Sequence, residues 1–261
     1  MSQDGSGLEQ MPITDFQIGT VIRRSFLVLF KNFGPFILMS LVFMLPSQFQ
    51  LFLATPELGA EPGDAGPADA LVPLAAFGVH FLSTSLLSAT LVYGTIIQLR
   101  GGHASAMESV VKGLGLLVPV IAVSLLAGLI TLAGTLLLVI PGILAFTVLW
   151  VAVPAAVVER TGIMASLRRS VELTDGYRWR VLGVIAVIIL ISAVIEIVLV
   201  GPLVAIMTLE SEGVPIGSTI ILLVIQAFFA ALSAVTIAVS YHDLRIAKEG
   251  VGTDQIAAVF D

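Results

Sequence analysis

The chain has 261 residues, of which 57% are apolar and 11% charged: 12 Lys or Arg against 18 Asp or Glu. A soluble domain carries about 25% charge, so these few charges cannot cover a water-facing surface, and the mean hydropathy of +1.07 agrees. Composition excludes an ordinary soluble enzyme and a disordered chain and implies an integral membrane protein; with no cysteine, disulfides, thiolate metal sites and Cys nucleophiles are excluded as well.

Residues 1–14 read as a disordered tail, and no signal peptide is expected because the first hydrophobic stretch is a full span with no cleavage site behind it. From Ile18 the apolar residues Ile22, Phe26, Leu29, Phe30 and Phe33 recur at three- and four-residue steps, with Arg23, Arg24 and Lys31 on other faces. That spacing predicts an amphipathic helix lying in the headgroup plane. Between Lys31 and Glu57 lie 25 uncharged residues, and a bilayer core of roughly 30 Å needs about 20 in a helix. The first span is therefore expected over 33–54. The acidic loop 55–70, rich in Pro, Gly and Ala, reads as a spacer.

Asp69 to Arg100 encloses 30 uncharged residues, which predicts a span over 71–98. A second amphipathic stretch, Ala104 to Lys112, sets Met107, Val110 and Val111 against Glu108 and Lys112. The 46 uncharged residues between Lys112 and Glu159 would make a single helix about 69 Å long and must cross twice. Pro141-Gly142 is the expected turn between spans over 115–138 and 141–158. Ile163 to Thr174 is a third amphipathic stretch, with Met164, Leu167 and Val171 against Arg168, Arg169 and Glu172. The last two spans are expected over 181–206, interrupted by one acid, Glu196, and over 215–241. The expected architecture is thus all-α: one six-helix membrane domain over 15–245, with short cytoplasmic interfacial helices and a C-terminal tail over 246–261.

Orientation follows from the basic residues, since cytoplasmic loops carry the Lys/Arg excess. Under the six-span reading all 12 fall on one side: Arg23, Arg24, Lys31, Arg100, Lys112, Arg160, Arg168, Arg169, Arg178, Arg180, Arg245 and Lys248. Both termini are therefore expected in the cytoplasm. Ile18-x-x-x-Ile22-Arg23-Arg24-Ser25-Phe26 also echoes Ile163-x-x-x-Leu167-Arg168-Arg169-Ser170-Val171, and Ser109-Val110 falls at the same place in the second stretch. The chain can be divided into three units of interfacial helix plus hairpin, 15–98, 104–158 and 163–242. The alternative is that any basic amphipathic helix looks alike.

The run Pro154-Ala155-Ala156-Val157-Val158-Glu159-Arg160-Thr161-Gly162, then Leu167-Arg168-Arg169-Ser170-Val171-Glu172-Leu173-Thr174-Asp175-Gly176 and Trp179-Arg180, resembles the membrane domain associated with bacterial glycerophosphoryl diester phosphodiesterases and the related YciC-like inner-membrane proteins. Tyr241-His242-Asp243-Leu244-Arg245 and the opening Ile18-Gly19 fit the same pattern, so the resemblance covers about residues 15–252. It implies a six-helix inner-membrane domain with no established chemistry of its own. The catalytic barrel of the phosphodiesterases needs about 250 further residues, so their activity is not expected of these residues.

Chemistry candidates are few. Glu196 is an acid within a span, which costs about 2.5–3.5 kcal/mol on insertion scales, and His80 and Gln226 fall near the same depth of their spans. The three form a candidate intramembrane polar site, for which a ligand or proton role competes with a structural clamp between helices. Arg160, Arg168, Arg169, Arg178 and Arg180, with Trp179 at headgroup height, form a candidate headgroup site that ordinary positive-inside anchoring would also explain. Glu159 and Asp175 are candidates to pair with these arginines, and Asp243 and Arg245 to join them. Gly128, Gly134 and Gly142 suggest close packing, and Pro46, Pro154 and Pro202 suggest kinks. No phosphate loop, hydrolase elbow, zinc motif or nucleic-acid surface is visible, so neither metal nor cofactor is expected. The leading expectation is a non-catalytic membrane protein that binds lipid headgroups, or a protein partner on its cytoplasmic face. The alternative is a small transporter or lipid-handling permease that uses Glu196.

Overall fold

A computed structural model of the chain describes residues 15–54, 71–102, 105–209 and 216–250. The expected tails, the acidic loop, His103 and the loop at 210–215 lie outside the described residues. The elements are α1 Ile18–Lys31, α2 Phe33–Ala54, α3 Leu71–Leu99, α4 Ala106–Gly115, α5 Leu117–Leu137, α6 Val139–Val148, α7 Ala152–Glu159, α8 Ile163–Thr174, α9 Arg178–Ile195, α10 Gly201–Leu209 and α11 Ile216–Glu249. A π-helical turn, Glu196–Val200, joins α9 to α10. No strand occurs among the described residues. Five stretches, Pro73–Leu99, Leu117–Leu137, Val139–Glu159, Arg178–Ala205 and Gly217–Glu249, are long and apolar enough to cross a membrane. The expected first span is α2, bent by 87° from α1, an angle that would lay amphipathic α1 along a surface that α2 crosses.

Three departures from the expected spans have local causes. The hairpin between α5 and α6 turns at Leu138, in extended backbone, and not at Pro141-Gly142. Pro141 lies in the first turn of α6, where its missing N–H would have no intrahelical partner anyway. Gly134 and Gly142 do the packing: a Cβ on Gly142 would stand 2.0 Å from Thr135 Oγ1 and 2.8 Å from Thr135 Cα. Gly128 faces open space and plays no such part. The fourth span is broken at 149–151, because Pro154 cannot donate to the Trp150 carbonyl and its ring crowds that oxygen. Last, α11 continues to Glu249, beyond the expected end at 241. Charge bounds a membrane span but not a helix, and Tyr241, Asp243 and Leu244 are all buried.

The break at 149–151 explains where α8 sits. Ala152 N–H turns to the Leu149 carbonyl, leaving the Val148 carbonyl without its helical donor. The Ser170 hydroxyl of α8 donates to it at 2.7 Å, and Thr174 adds a longer contact at 3.4 Å. Ser166, Ser170 and Thr174 are fully buried along that face of α8. The expected apolar face of α8 therefore divides: Leu167 is buried, whereas Met164 and Val171 are exposed. In α1 a similar division buries Val21, Val28 and Leu29 and leaves Phe30 exposed, as is Phe33 at the start of α2. The aromatic rings of Phe26, Phe30 and Phe33 stack in series at the bend into α2.

The core is centred on α3 and α11. Ala227, Ala231, Ala234 and Ala238 line one buried face of α11, and small side chains let neighbouring helices approach closely. Leu87, Leu91 and Val92 of α3 fill the space with Phe36 of α2 and Val181 and Val184 of α9. The α5–α8 segment adds a smaller cluster of Val123, Ala152, Ala156 and Leu167. By contrast, α9 packs on α1 and α6 but meets α11 only lightly, and this leaves a groove beside it.

Candidate functional site

Glu196 opens the π turn at the end of α9. Its carbonyl accepts from Gly201 N–H, five residues on, instead of from a residue four ahead. The cause lies at Pro202, which has no N–H and whose ring would crowd the Val198 carbonyl in a regular helix. Opening one turn by a residue accommodates it, a device often found at functional sites.

The expected intramembrane trio meets in the groove beside this turn. His80 from α3, Glu196 and Gln226 from α11 line one cavity of about 360 Å³, with Ser192, Ser233 and Met44. All three are exposed in the single chain, so the cavity is an open groove and not a dry packed contact. A second cavity, about 530 Å³, shares Glu196, Ser192 and Ser233 and is otherwise walled by apolar side chains such as Phe146, Trp150 and Ile188. Glu196 thus stands at the junction of two mainly apolar recesses, of which the smaller also carries His80 and Gln226. Among the described residues its carboxylate makes no ion pair and no hydrogen bond. Nor do they include a group of three His, Cys, Asp or Glu fit to hold a metal ion.

The basic end is organised differently. Arg169 Nε donates to Glu159 at 2.8 Å, and its other end reaches Glu249. Tyr241 donates its hydroxyl to Glu159 at 2.9 Å, and Arg245 extends the network by pairing with Glu249 at 2.8 Å. Burial opposes the Arg169 charge, but the hydrogen bonds to Glu159 and Glu249 outweigh it and hold the guanidinium above the usual arginine pKa. Next to this network, Arg24 of α1 pairs with Asp243 at 2.7 Å, with only 2% of the Asp243 side chain exposed. Glu159 and Asp175 pair with arginines of the expected group, Arg169 and Arg178, whereas Asp243 pairs outside it with Arg24 and Arg245 joins it only through Glu249, which Arg169 also reaches.

The other arginines of the candidate headgroup site are engaged more loosely. Arg168 pairs with Glu172 at 2.9 Å and Arg178 with Asp175 at 3.0 Å, both exposed. Arg180 pairs with Asp15 at 2.5 Å, donates to the Phe16 carbonyl at 2.9 Å and lies over the Tyr177 ring. The Arg180 hydrogen bond holds the Asp15 carboxyl below its ordinary pKa, against a smaller opposing effect of desolvation. Trp179 is 81% exposed. Arg160 stands apart: it caps α7 in the left-handed conformation, with φ of 51°, and makes no ion pair among the described residues.

Ser192 and Ser233 join the expected trio as lining residues. Their helical spacing from Glu196 and Gln226 was the available signal: Ser192 precedes Glu196 by four residues and Ser233 follows Gln226 by seven, so each shares a face with its partner. Arg24–Asp243, by contrast, is a contact across 219 positions that no local pattern announces. Comparison of the chain with protein-family models, curated proteins and solved structures finds no match.

Proposed function

We propose that the chain is a multi-pass protein of the bacterial inner membrane, with both termini cytoplasmic, that handles an amphipathic molecule by holding its cationic or hydrogen-bond-donating head at Glu196. One observation carries this reading: three polar residues from three separate spans, Glu196, His80 and Gln226, line one open cavity. A carboxylate at membrane depth is costly unless it is partnered or protonated, and among the described residues that of Glu196 has no partner. The apolar recess sharing Glu196 suits the molecule's hydrocarbon part. An aminophospholipid has this chemistry, an ammonium head on apolar chains. The one-sided distribution of the 12 basic residues supports the orientation, and the resemblance to the phosphodiesterase-associated membrane domain supports the compartment. No chemistry of its own is assigned to the chain.

The test is lipid movement in proteoliposomes containing phosphatidylethanolamine labelled on its acyl chain. The protein should speed exchange of the label between leaflets, and Glu196→Gln should return it to the rate of protein-free vesicles. Wild-type protein no faster than empty vesicles, or a variant as fast as wild type, removes the proposal.

Headgroup recognition at the basic end is a second reading. Four of its five candidate arginines already face acids of the chain itself. Arg160 is the observation in its favour, because it makes no such pair. A cytoplasmic protein partner remains part of this reading, for which exposed Trp179 is a suitable anchor.

A further inference from the structure

Arg160 does not stand alone. Where α3 ends beside α7, a cavity of about 200 Å³ is lined by Arg100, Arg160 and Tyr93, with Ile96, Val157 and Val158 among its apolar walls. Neither arginine makes an ion pair among the described residues, unlike Arg24, Arg168, Arg169, Arg178, Arg180 and Arg245. The Tyr93 hydroxyl donates to Glu108 of α4 at 3.3 Å. Two cations on one cavity wall repel unless an anion joins them. The guanidinium fork fits phosphate oxygens in bidentate fashion.

The backbone supplies an independent observation. Arg160 is the sole non-glycine with positive φ among the described residues, while the comparable positions are Gly101, Gly162, Gly176 and Gly250. A left-handed cap is normally glycine, because a Cβ is strained there. Here the strained position carries an arginine whose side chain lines the cavity.

We propose that Arg100 and Arg160 form a binding site for a phosphate group, occupied by the headgroup of an anionic phospholipid whose chains leave along Ile96 and Val158. The site rests on the second reading above, narrows it to one cavity, and is independent of Glu196.

The experiment measures lipid retained by the purified protein in native mass spectrometry, using phosphatidylglycerol and phosphatidylcholine with identical chains. Wild type should retain phosphatidylglycerol preferentially. Arg100→Gln/Arg160→Gln should weaken this about tenfold or more, the size expected for lost charge-assisted hydrogen bonds, whereas Arg23→Gln, at an exposed position of α1 outside the headgroup candidates, should leave it unchanged. Arg160→Gly guards against misfolding as an explanation: it relieves the strained cap, so it should melt no earlier than wild type while losing lipid. Val158→Phe keeps both charges and should lose lipid by filling the cavity. An excess of inorganic phosphate should not displace the lipid; full displacement would mean a free-phosphate site and overturn the lipid assignment. If the double variant retains lipid but Arg168→Gln and Arg178→Gln lose it, headgroup recognition stands and this site is wrong. If wild type shows no preference for the anionic lipid, both are wrong.

Discussion

The chain places polar side chains at two levels and treats them in opposite ways. At the basic end Arg24, Arg169, Arg245, Glu159, Tyr241, Asp243 and Glu249 satisfy one another across α1, α7, α8 and α11. Beside the π turn, Glu196 lines an open groove with no ion pair. A satisfied network fixes helices to one another, because removing any member strands its partner. A carboxylate left open does little for the fold and is available to something else. The comparison therefore separates residues that hold the bundle from residues the bundle holds out.

The largest effect that sharpens this contrast belongs to Arg24→Ala. It leaves a carboxylate whose side chain is 2% exposed with only His242 Nδ1 beside it, at 3.3 Å, and truncating one partner of a buried pair costs about 3–5 kcal/mol. Thermal unfolding in detergent should show a large drop in midpoint, and Arg24→Met/Asp243→Leu should recover most of it, since an apolar pair of similar size is often neutral. A double variant no better than the single one would mean that the pair does more than satisfy itself. Ser170→Ala should come next. It leaves the Val148 carbonyl without its 2.7 Å donor, at a cost of about 1–2 kcal/mol, and loosens the clasp of α8 on the broken fourth span. An unchanged melting point would show that water or Thr174 takes over.

How far the sequence could reach is clear from the same two levels. Membrane depth is written locally: α2 begins at Phe33 and α3 at Leu71, where the charge-free windows placed them, and Glu196, His80 and Gln226 were brought together by counting residues from the span ends. Backbone departures were not legible in the same way. Prolines announced them, but Pro154 acts on the Trp150 carbonyl and Pro202 on the helix before it, so each break precedes its cause by several residues. The pairing at the basic end was least visible, because Arg24 and Asp243 meet only through the fold. The Arg-Arg-Ser echo was better than it looked from sequence: in both copies the first arginine is exposed, the second is half-buried and paired with an acid, and the serine is buried. Ser109 of the second stretch is buried too.

On the open side of the comparison, Glu196→Gln should change unfolding by less than about 0.5 kcal/mol, as a substitution that breaks no interaction does, even where it abolishes lipid exchange. A loss as large as that of Arg24→Ala would break the contrast and make Glu196 a clamp.

The smallest effect is expected where the basic end meets water. Asp15 is held to Arg180 at 2.5 Å, and this hydrogen bond lowers its folded pKa below the ordinary aspartate value of about 3.9. A group with a lowered folded pKa contributes stability above its unfolded pKa and loses it as pH falls through the folded value. The tie should therefore hold at neutral pH and release only below about pH 3.9. Because the pair is exposed, the release should be local and should disappear with added salt. Trp179, adjacent to Arg180, reports it: the chain has two tryptophans, so a Trp150→Phe background isolates the Trp179 fluorescence. An acid midpoint below that of a free aspartate, shifted upward by Arg180→Gln, places Asp15 with the paired residues of the basic end. A midpoint that ignores Arg180→Gln would move Asp15 and Arg180 to the open side of the comparison, leaving Arg180 available to a headgroup after all.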